Sequence, residues 1–417
     1  MTNRAIASIK PALATNLEPD EMPSWMTILF AIASGLLAAN VYYSQPIAEL
    51  IATSLGFSSS ATGLIVAFTQ AGFGIGLFLI VPLGDLVENR RLVLTLIGVT
   101  ALALLTTAAS AGPLAYLASA LLVGLGSVAV QVLIPFAAHM APERVRGRVV
   151  GNVMSGLMIG IMLARPASSF ATQAISWHAV FYVSGGSMFA LVLALALALP
   201  KRKPTVTISY LALLKSMSRL ALTTPVLQQR ALYQACLFGA FSLFWTTVPL
   251  LLTGSAFHMS QGQVALFALV GGAGAIAAPL AGRAADRGWT EPATAFAILC
   301  VAVAILITRF AAGGSSLGIA LLIAAAILLD FGMTANLTLG QRAIFVLGAE
   351  YRSRLNGLYM SAFFAGGAVG STLGGLAYAL GGWNLASWIG FALPMLAIAF
   401  LLIGWVRARA YPRDESA

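Results

Sequence analysis

The apolar positions of this chain neither alternate nor keep to one helical face. They run unbroken, in stretches separated by short polar segments. Stretches of about 20 apolar residues are long enough to cross a bilayer as helices. They fall at 25–50, 61–86, 91–110, 113–139, 148–175, 177–200, 225–253, 261–285, 293–310, 317–345, 355–380 and 384–406. Inside lipid a segment must satisfy its own backbone, so each run predicts a helix. The reading is an all-α membrane protein of twelve transmembrane helices in two six-helix halves, 24–200 and 225–410. A linker, 201–224, joins them, and its stretch from Tyr210 to Leu220 suits either a short amphipathic helix or plain linker. Residues 1–23 are polar and lack the basic-then-apolar pattern of a cleaved signal, so they and 411–417 are expected to be tails, the first disordered.

The two halves share a repeated element. Arg146, Arg148, Gly151, Met154, Ser155 and Gly160 recur 206 residues later as Arg352, Arg354, Gly357, Met360, Ser361 and Gly366. Each copy has arginines that must stay wet, followed by an apolar run studded with small residues. That describes a helix entering a membrane from its basic side and packing closely on another. Tandem homologous halves are a recurrent plan of secondary transporters.

Charge settles orientation. The chain is 59% hydrophobic and only 9% charged, against about 25% in soluble domains. With both termini inside, all but Arg309 and the span residue Arg165 of the 23 Lys and Arg fall on the inner side. The net charge of +10 is therefore a positive-inside signature and not a nucleic-acid patch. Both tails are placed in the cytoplasm and the chain in the cell (inner or plasma) membrane. Cys236 and Cys300 lie far apart in apolar runs and read as buried thiols. His139, His178 and His258 fall near span ends and read as interfacial.

Between the second and third spans, Asp85 is followed by Arg90 and Arg91; the second half answers with Asp286 and Arg287. This loop resembles the G-x-L-A-D-x-x-G-R-R motif of the major facilitator superfamily, with Val81 and Glu88 at the two glycine positions. The resemblance implies the major facilitator fold, and a latch in which the acid contacts a neighbouring helix to hold the inner side shut. The fifth span resembles the family's antiporter motif G-x-x-x-G-P-x-x-G-G through Gly160, Ala164, Pro166, Ser168 and Ser169, with Arg165 at the motif proline. The eleventh repeats it as Gly366, Gly370, Gly374 and Gly375. Small residues there allow close backbone approach between halves, or serve generic helix packing. The first span, through Asn40, Tyr42, Tyr43, Gln45 and Pro46, is similar to twelve-span drug/proton antiporters. That likeness implies exchange of protons for a drug-like or amphiphilic solute by alternating access.

Within the family the first and seventh spans border the central cavity, so Asn40, Tyr42, Tyr43 and Trp245 are substrate-binding candidates, with Gln70, Gln131 and Asn336 as further polar ones. The aromatic residues also suit anchoring at the outer interface. Two charges lie inside spans. Asp330 stands ~20 Å along the tenth span, near the midplane of a ~30 Å core. Arg165 stands ~25 Å from the inner end of the fifth. A charge at the bilayer centre costs roughly 3 kcal/mol, so it is functional or paired. By the repeat offset Asp330 faces Gly124 and Arg165 faces Ser371, so neither charge is repeated. The family's fourth-span R-x-x-x-G has Ala120 before Gly124 here, which makes Arg165 the substitute. Low dielectric favours a neutral carboxylate and a nearby cation favours the ionised one. Asp330, with Arg165 beside it, is therefore the proton-coupling candidate, and Glu49 at the outer end of the first span is its rival. No metal cluster, nucleotide loop or catalytic triad is legible. The reading requires a small-molecule substrate, protons and a bilayer, no cofactor or metal, and a monomer that is not an enzyme. A solute uptake symporter or facilitator is the alternative, and a non-transporting membrane sensor a remote one.

Overall fold

The computed structural model describes residues 23–201, 209–311 and 313–410, and every regular element among them is helical. Apart from Pro23, the expected tails lie outside the described residues, as does linker stretch 202–208. The first span is α1 (Ser24–Ala39), which gives way to turns at 40–47 and resumes as α2 (Ala48–Leu55). Pro46 accounts for the break, because proline has no N–H to donate and its ring crowds the preceding turn. The second span is α3 (Leu64–Leu79), set between 3₁₀ turns at Ser59–Ala61 and Val81–Asp85. Next come α4 (Asn89–Ala108), then α5 (Pro113–Ser127) and α6 (Ala129–Met140), which together form the fourth span. The fifth and sixth are α7 (Glu143–Ala174) and α8 (Trp177–Ala198).

The linker carries α9 (Tyr210–Thr223), and the seventh span is α10 (Pro225–Thr253). The eighth comprises α11 (Gln261–Leu269), a 3₁₀ stretch Val270–Ile276, and α12 (Ala277–Asp286). Then follow α13 (Thr290–Thr308) and α14 (Ser316–Phe345). The run α15 (Arg352–Ala410) holds the last two spans, which meet where Gly381 and Gly382 leave helical geometry. Gly382 has φ 58°, a left-handed conformation that glycine adopts without penalty. Side chains of Ser176, Ser209, Ser260 and Ser315 cap four of the helices, each accepting an otherwise unpaired backbone N–H.

The twelve spans stand where hydropathy places them. The fifth starts earlier than expected, so Arg144 and Arg146 join Arg148 in its first turns rather than lying in a loop. The linker stretch is a helix with two faces. Leu213 and Met217 are buried, Met217 in one cluster with Leu227 and Tyr359, while Leu211 and Leu222 are exposed. Tyr210 donates its hydroxyl to the Leu79 carbonyl at 2.7 Å, and Arg354 donates to Ser216 Oγ at 2.7 Å. The linker helix thereby touches the arginine-rich ends of both halves.

The most enclosed span is α10, whose apolar stretch is 94% buried, so it is the post round which the second half is built. Of the two uses open to the repeated small-residue element, it mostly serves helix packing inside each half. A methyl on Gly160 would lie 2.1 Å from the Gly35 carbonyl oxygen, and one on Gly370 would lie 2.0 Å from that of Gly239. Gly160 thus packs on α1 and Gly370 on α10, each within its own half. Gly366 likewise meets Ala235, and Gly374 meets Leu243 and Thr247 of α10. Of these motif glycines Gly375 reaches across, to Gly63 just before α3. Residues spaced three or four apart share one helical face, and that face is spent on the neighbour inside the half. A different face of α7 meets the second half, with Met162 against Gly272 and Gln173 against Gly262. This α7–α11 contact is concentrated at the end opposite the arginines, where Glu49 also accepts a hydrogen bond from Thr253 Oγ1 at 3.1 Å. Nearer the arginines, Met154 and Met158 of α7 are exposed.

Candidate functional site

The two charges named inside spans come together round one indole. Trp245 on α10 donates Nε1–H to Asp330 Oδ1 on α14 at 3.0 Å. The guanidinium of Arg165, from α7, lies over the face of the same indole, 4.3 Å from its centroid. It also lies 5.1 Å from the Phe241 ring and 5.3 Å from Tyr42. Arg165 Nε donates to Gln45 Oε1 at 2.8 Å. Arg165, Trp245 and Asp330 are 3%, 2% and 6% exposed, which excludes water as their main partner. No ion pair joins Arg165 to Asp330; the indole stands between them, edge to the acid and face to the base.

Local sequence explains the arrangement. Phe241 and Trp245 are four apart on α10, hence on one face, and Phe267 of α11 closes against Trp245 at 5.9 Å. The 3₁₀ stretch of the eighth span passes close by. A methyl on Gly271 would fall 2.6 Å from Asp330 Oδ2, and one on Gly274 2.6 Å from Asp330 Cβ. Glycine therefore lets that backbone approach the acid, and Gly271, Gly272 and Gly274 together weaken the α-helix there.

The other candidates separate into distinct places. Gln70 on α3 donates to Ser242 Oγ at 2.9 Å and accepts from Ser371 at 3.4 Å, so it ties the first half to the second. Ser371 is the repeat counterpart of Arg165, and both reach α10, Ser371 through Thr246 at 3.2 Å. Asn336 donates to Gln234 Oε1 at 2.6 Å, inside the second half. Asn40 is spent within the first half, accepting from Ser184 Oγ at 2.7 Å. Gln131 is half-buried and joins none of these clusters. Tyr43 faces a groove of about 790 Å³ between α1 and α7, apart from Tyr42 and Arg165. Glu49 is exposed and does not meet Asp330.

At the arginine-rich end the acids and bases fasten helices within each half. Asp286 pairs with Arg342 of α14, not with its neighbour Arg287, which stacks over Trp289 at 5.9 Å. Arg90 donates to the Ala196 carbonyl of α8, while Arg91 and Asp85 are exposed. Sequence reasoning overlooked buried Arg230, which pins α10 to Glu291 and Thr294 of α13. It also passed over Phe241, Phe267, Gln45 and the eighth-span glycines as site residues. The four-residue spacing of Phe241 and Trp245 points to the first of them, and Gln45 stands in the first-span stretch that carries the antiporter likeness.

Comparison with known proteins fits this architecture. A family model described as Major Facilitator Superfamily matches residues 29–338 and 230–417. The chain belongs to the major facilitator superfamily. Among similar proteins of this family, an uncharacterised transporter of Escherichia coli O157:H7, YgaY, is 35% identical over 397 residues, covering 95% of this chain and 98% of that protein. A probable transporter of Streptomyces coelicolor, SCO4007, is 34% identical over 387 residues, covering 92% and 87%. The nucleoside transporter NupG superposes with a TM-score of 0.71 at 15% identity, over 91% of this chain and 99% of that one. A bacterial homologue of the human lysosomal transporter Spinster, in its inward-facing occupied form, gives 0.67 at 15% identity, over 94% and 98%. Such low identity speaks to fold alone. Major facilitators are multi-pass membrane transporters of small molecules, and the present chain is one of them.

Proposed function

We propose that this transporter exports a small organic solute, drug-like or amphiphilic, in exchange for protons, as a monomer in the cell membrane with both termini cytoplasmic. The units 24–200 and 225–410 rock about the site, and 201–224 ties their cytoplasmic ends. One observation carries the reading. Asp330 is the buried acid of the described spans, and it shares one indole with an arginine from the opposite half. Rocking separates Arg165 from Trp245, so it changes the field at Asp330 in each cycle. A carboxylate that loses a nearby cation gains affinity for a proton, and one that regains it loses affinity. The proton then boards Asp330 in one state and leaves in the other. The test is transport in vesicles of compounds found by thermal shift, with pH gradients of either sign. Solute moving against the proton flow supports exchange; solute moving with it assigns uptake by symport.

The loop acids supply the latch in this cycle. Asp286 holds α12 to α14 through Arg342, and Asp85 with Arg90 and Arg91 occupies the matching corner. Asp286→Asn is expected to loosen the cytoplasmic ends and to raise thiol labelling of a cysteine placed at Met158. Unchanged labelling in a folded variant would reject the latch.

A further inference from the structure

The donors and acceptors left over at the indole describe the solute. Arg165 carries five N–H donors. Nε meets Gln45, but Nη2 has no hydrogen-bond partner, and neither has Gln45 Nε2. Both side chains are almost fully buried, Gln45 at 0% exposure. Buried donors without acceptors are costly, and a guanidinium fork matches a carboxylate in shape and charge. Across the indole lies the opposite surplus. An ionised carboxylate offers about four acceptor sites, and Trp245 Nε1–H takes one on Asp330.

Resting on the exchange reading above, we infer that the solute is dipolar: a carboxylate-like group for Arg165 and Gln45, and a cationic group for Asp330. The apolar part of the solute lies against Trp245, Phe241 and Tyr42. Charge balance separates this class from singly charged solutes, and the unpartnered donors favour it over uncharged ones. Arg165 and an ionised Asp330 sum to zero, in a place where net charge is expensive. A lone anion or a lone cation would unbalance the site, whereas a dipolar solute leaves it neutral. The sign of coupling follows from the same sum. A cationic group competes with the proton for Asp330, so the two exchange. A lone anion on Arg165 would instead favour a protonated Asp330, and the two would travel together. The site is closed here, and separation of the halves opens it, because Arg165 and Gln45 come from one half and Trp245 and Asp330 from the other.

The test uses matched probes on purified full-length protein, with binding followed by calorimetry or tryptophan fluorescence. Phenylalanine is set against 3-phenylpropionate and phenethylamine, and tryptophan against indole-3-propionate and tryptamine. The dipolar member of at least one set is expected to bind tenfold or more tighter than both relatives. It should lose that advantage in Arg165→Gln and release protons on binding to the wild type. If Arg165→Gln lowers the melting temperature, Arg165→Lys, which keeps charge but not the fork, should still weaken the dipolar probe. Binding of neither dipolar probe, or an advantage indifferent to Arg165, overturns the inference. Tight binding of an amine that needs Asp330 but not Arg165 overturns it and leaves exchange standing. Tight binding of an anion with proton uptake overturns both.

Discussion

Asp330→Asn should bind solute more weakly, still exchange it passively once the solute concentration is raised, and fail to concentrate it against a proton gradient. The substitution is nearly isosteric, and the amide oxygen still accepts the Trp245 N–H now held at 3.0 Å. What disappears is the ionisable group. One pH unit is worth about 1.36 kcal/mol per proton, which supports about a tenfold solute gradient at one proton per solute. The variant should show none, while counterflow between labelled and unlabelled solute continues. Arg165 also loses its opposing charge, and leaving a buried ion uncompensated costs about 3–5 kcal/mol. A lower melting temperature is therefore expected, and Asp330→Glu should restore both coupling and part of the stability. Gradient-driven transport by a folded Asp330→Asn protein would end the role assigned to this acid and move attention to Glu49.

The membrane fold was legible because lipid imposes a crude rule, that about 20 apolar residues make a span. The first span shows where that rule stops. Its run of 25–50 reads as one helix, but the chain turns at 40–47 and so aims Tyr42 and Gln45 at Arg165. The eighth span shows the same limit, since its 3₁₀ stretch exists to pass Asp330 and appears in hydropathy only as a run of glycines. Asp330, Arg165 and Trp245 were each visible as oddities in sequence. That one indole brings them together depends on helix rotation and depth, which composition does not encode. Asn40 and Tyr43 failed to join the site for the same reason. They flank Tyr42 closely in sequence but point to α8 and to the α1–α7 groove. The glycine motif left packing between halves and packing within a half both open, because a small residue announces close approach without naming the neighbour.

Trp245 offers the second large effect, since it serves both charges with different parts of one ring. The N–H bonds Asp330, and a hydrogen bond to a charged group is worth about 1.5–3 kcal/mol. The ring face holds Arg165, and a desolvated cation–π contact is worth about 2 kcal/mol. Trp245→Phe removes the first and keeps much of the second. Trp245→Ala removes both and leaves a cavity, for which losses of about 3–5 kcal/mol are usual. It also removes the divider, so Arg165 and Asp330 become free to pair directly across the halves. A direct pair would bridge the two halves and hold them closed. Trp245→Phe is therefore expected to retain solute exchange with a weaker response to the pH gradient. Trp245→Ala should lose exchange and gradient-driven transport together, and thiol labelling at Met158→Cys should report a single dominant conformation. Adding Asp330→Asn to Trp245→Ala should restore some exchange, because the bridging pair can no longer form. If Trp245→Ala exchanges solute as well as Trp245→Phe does, the indole is packing alone and does not separate the charges.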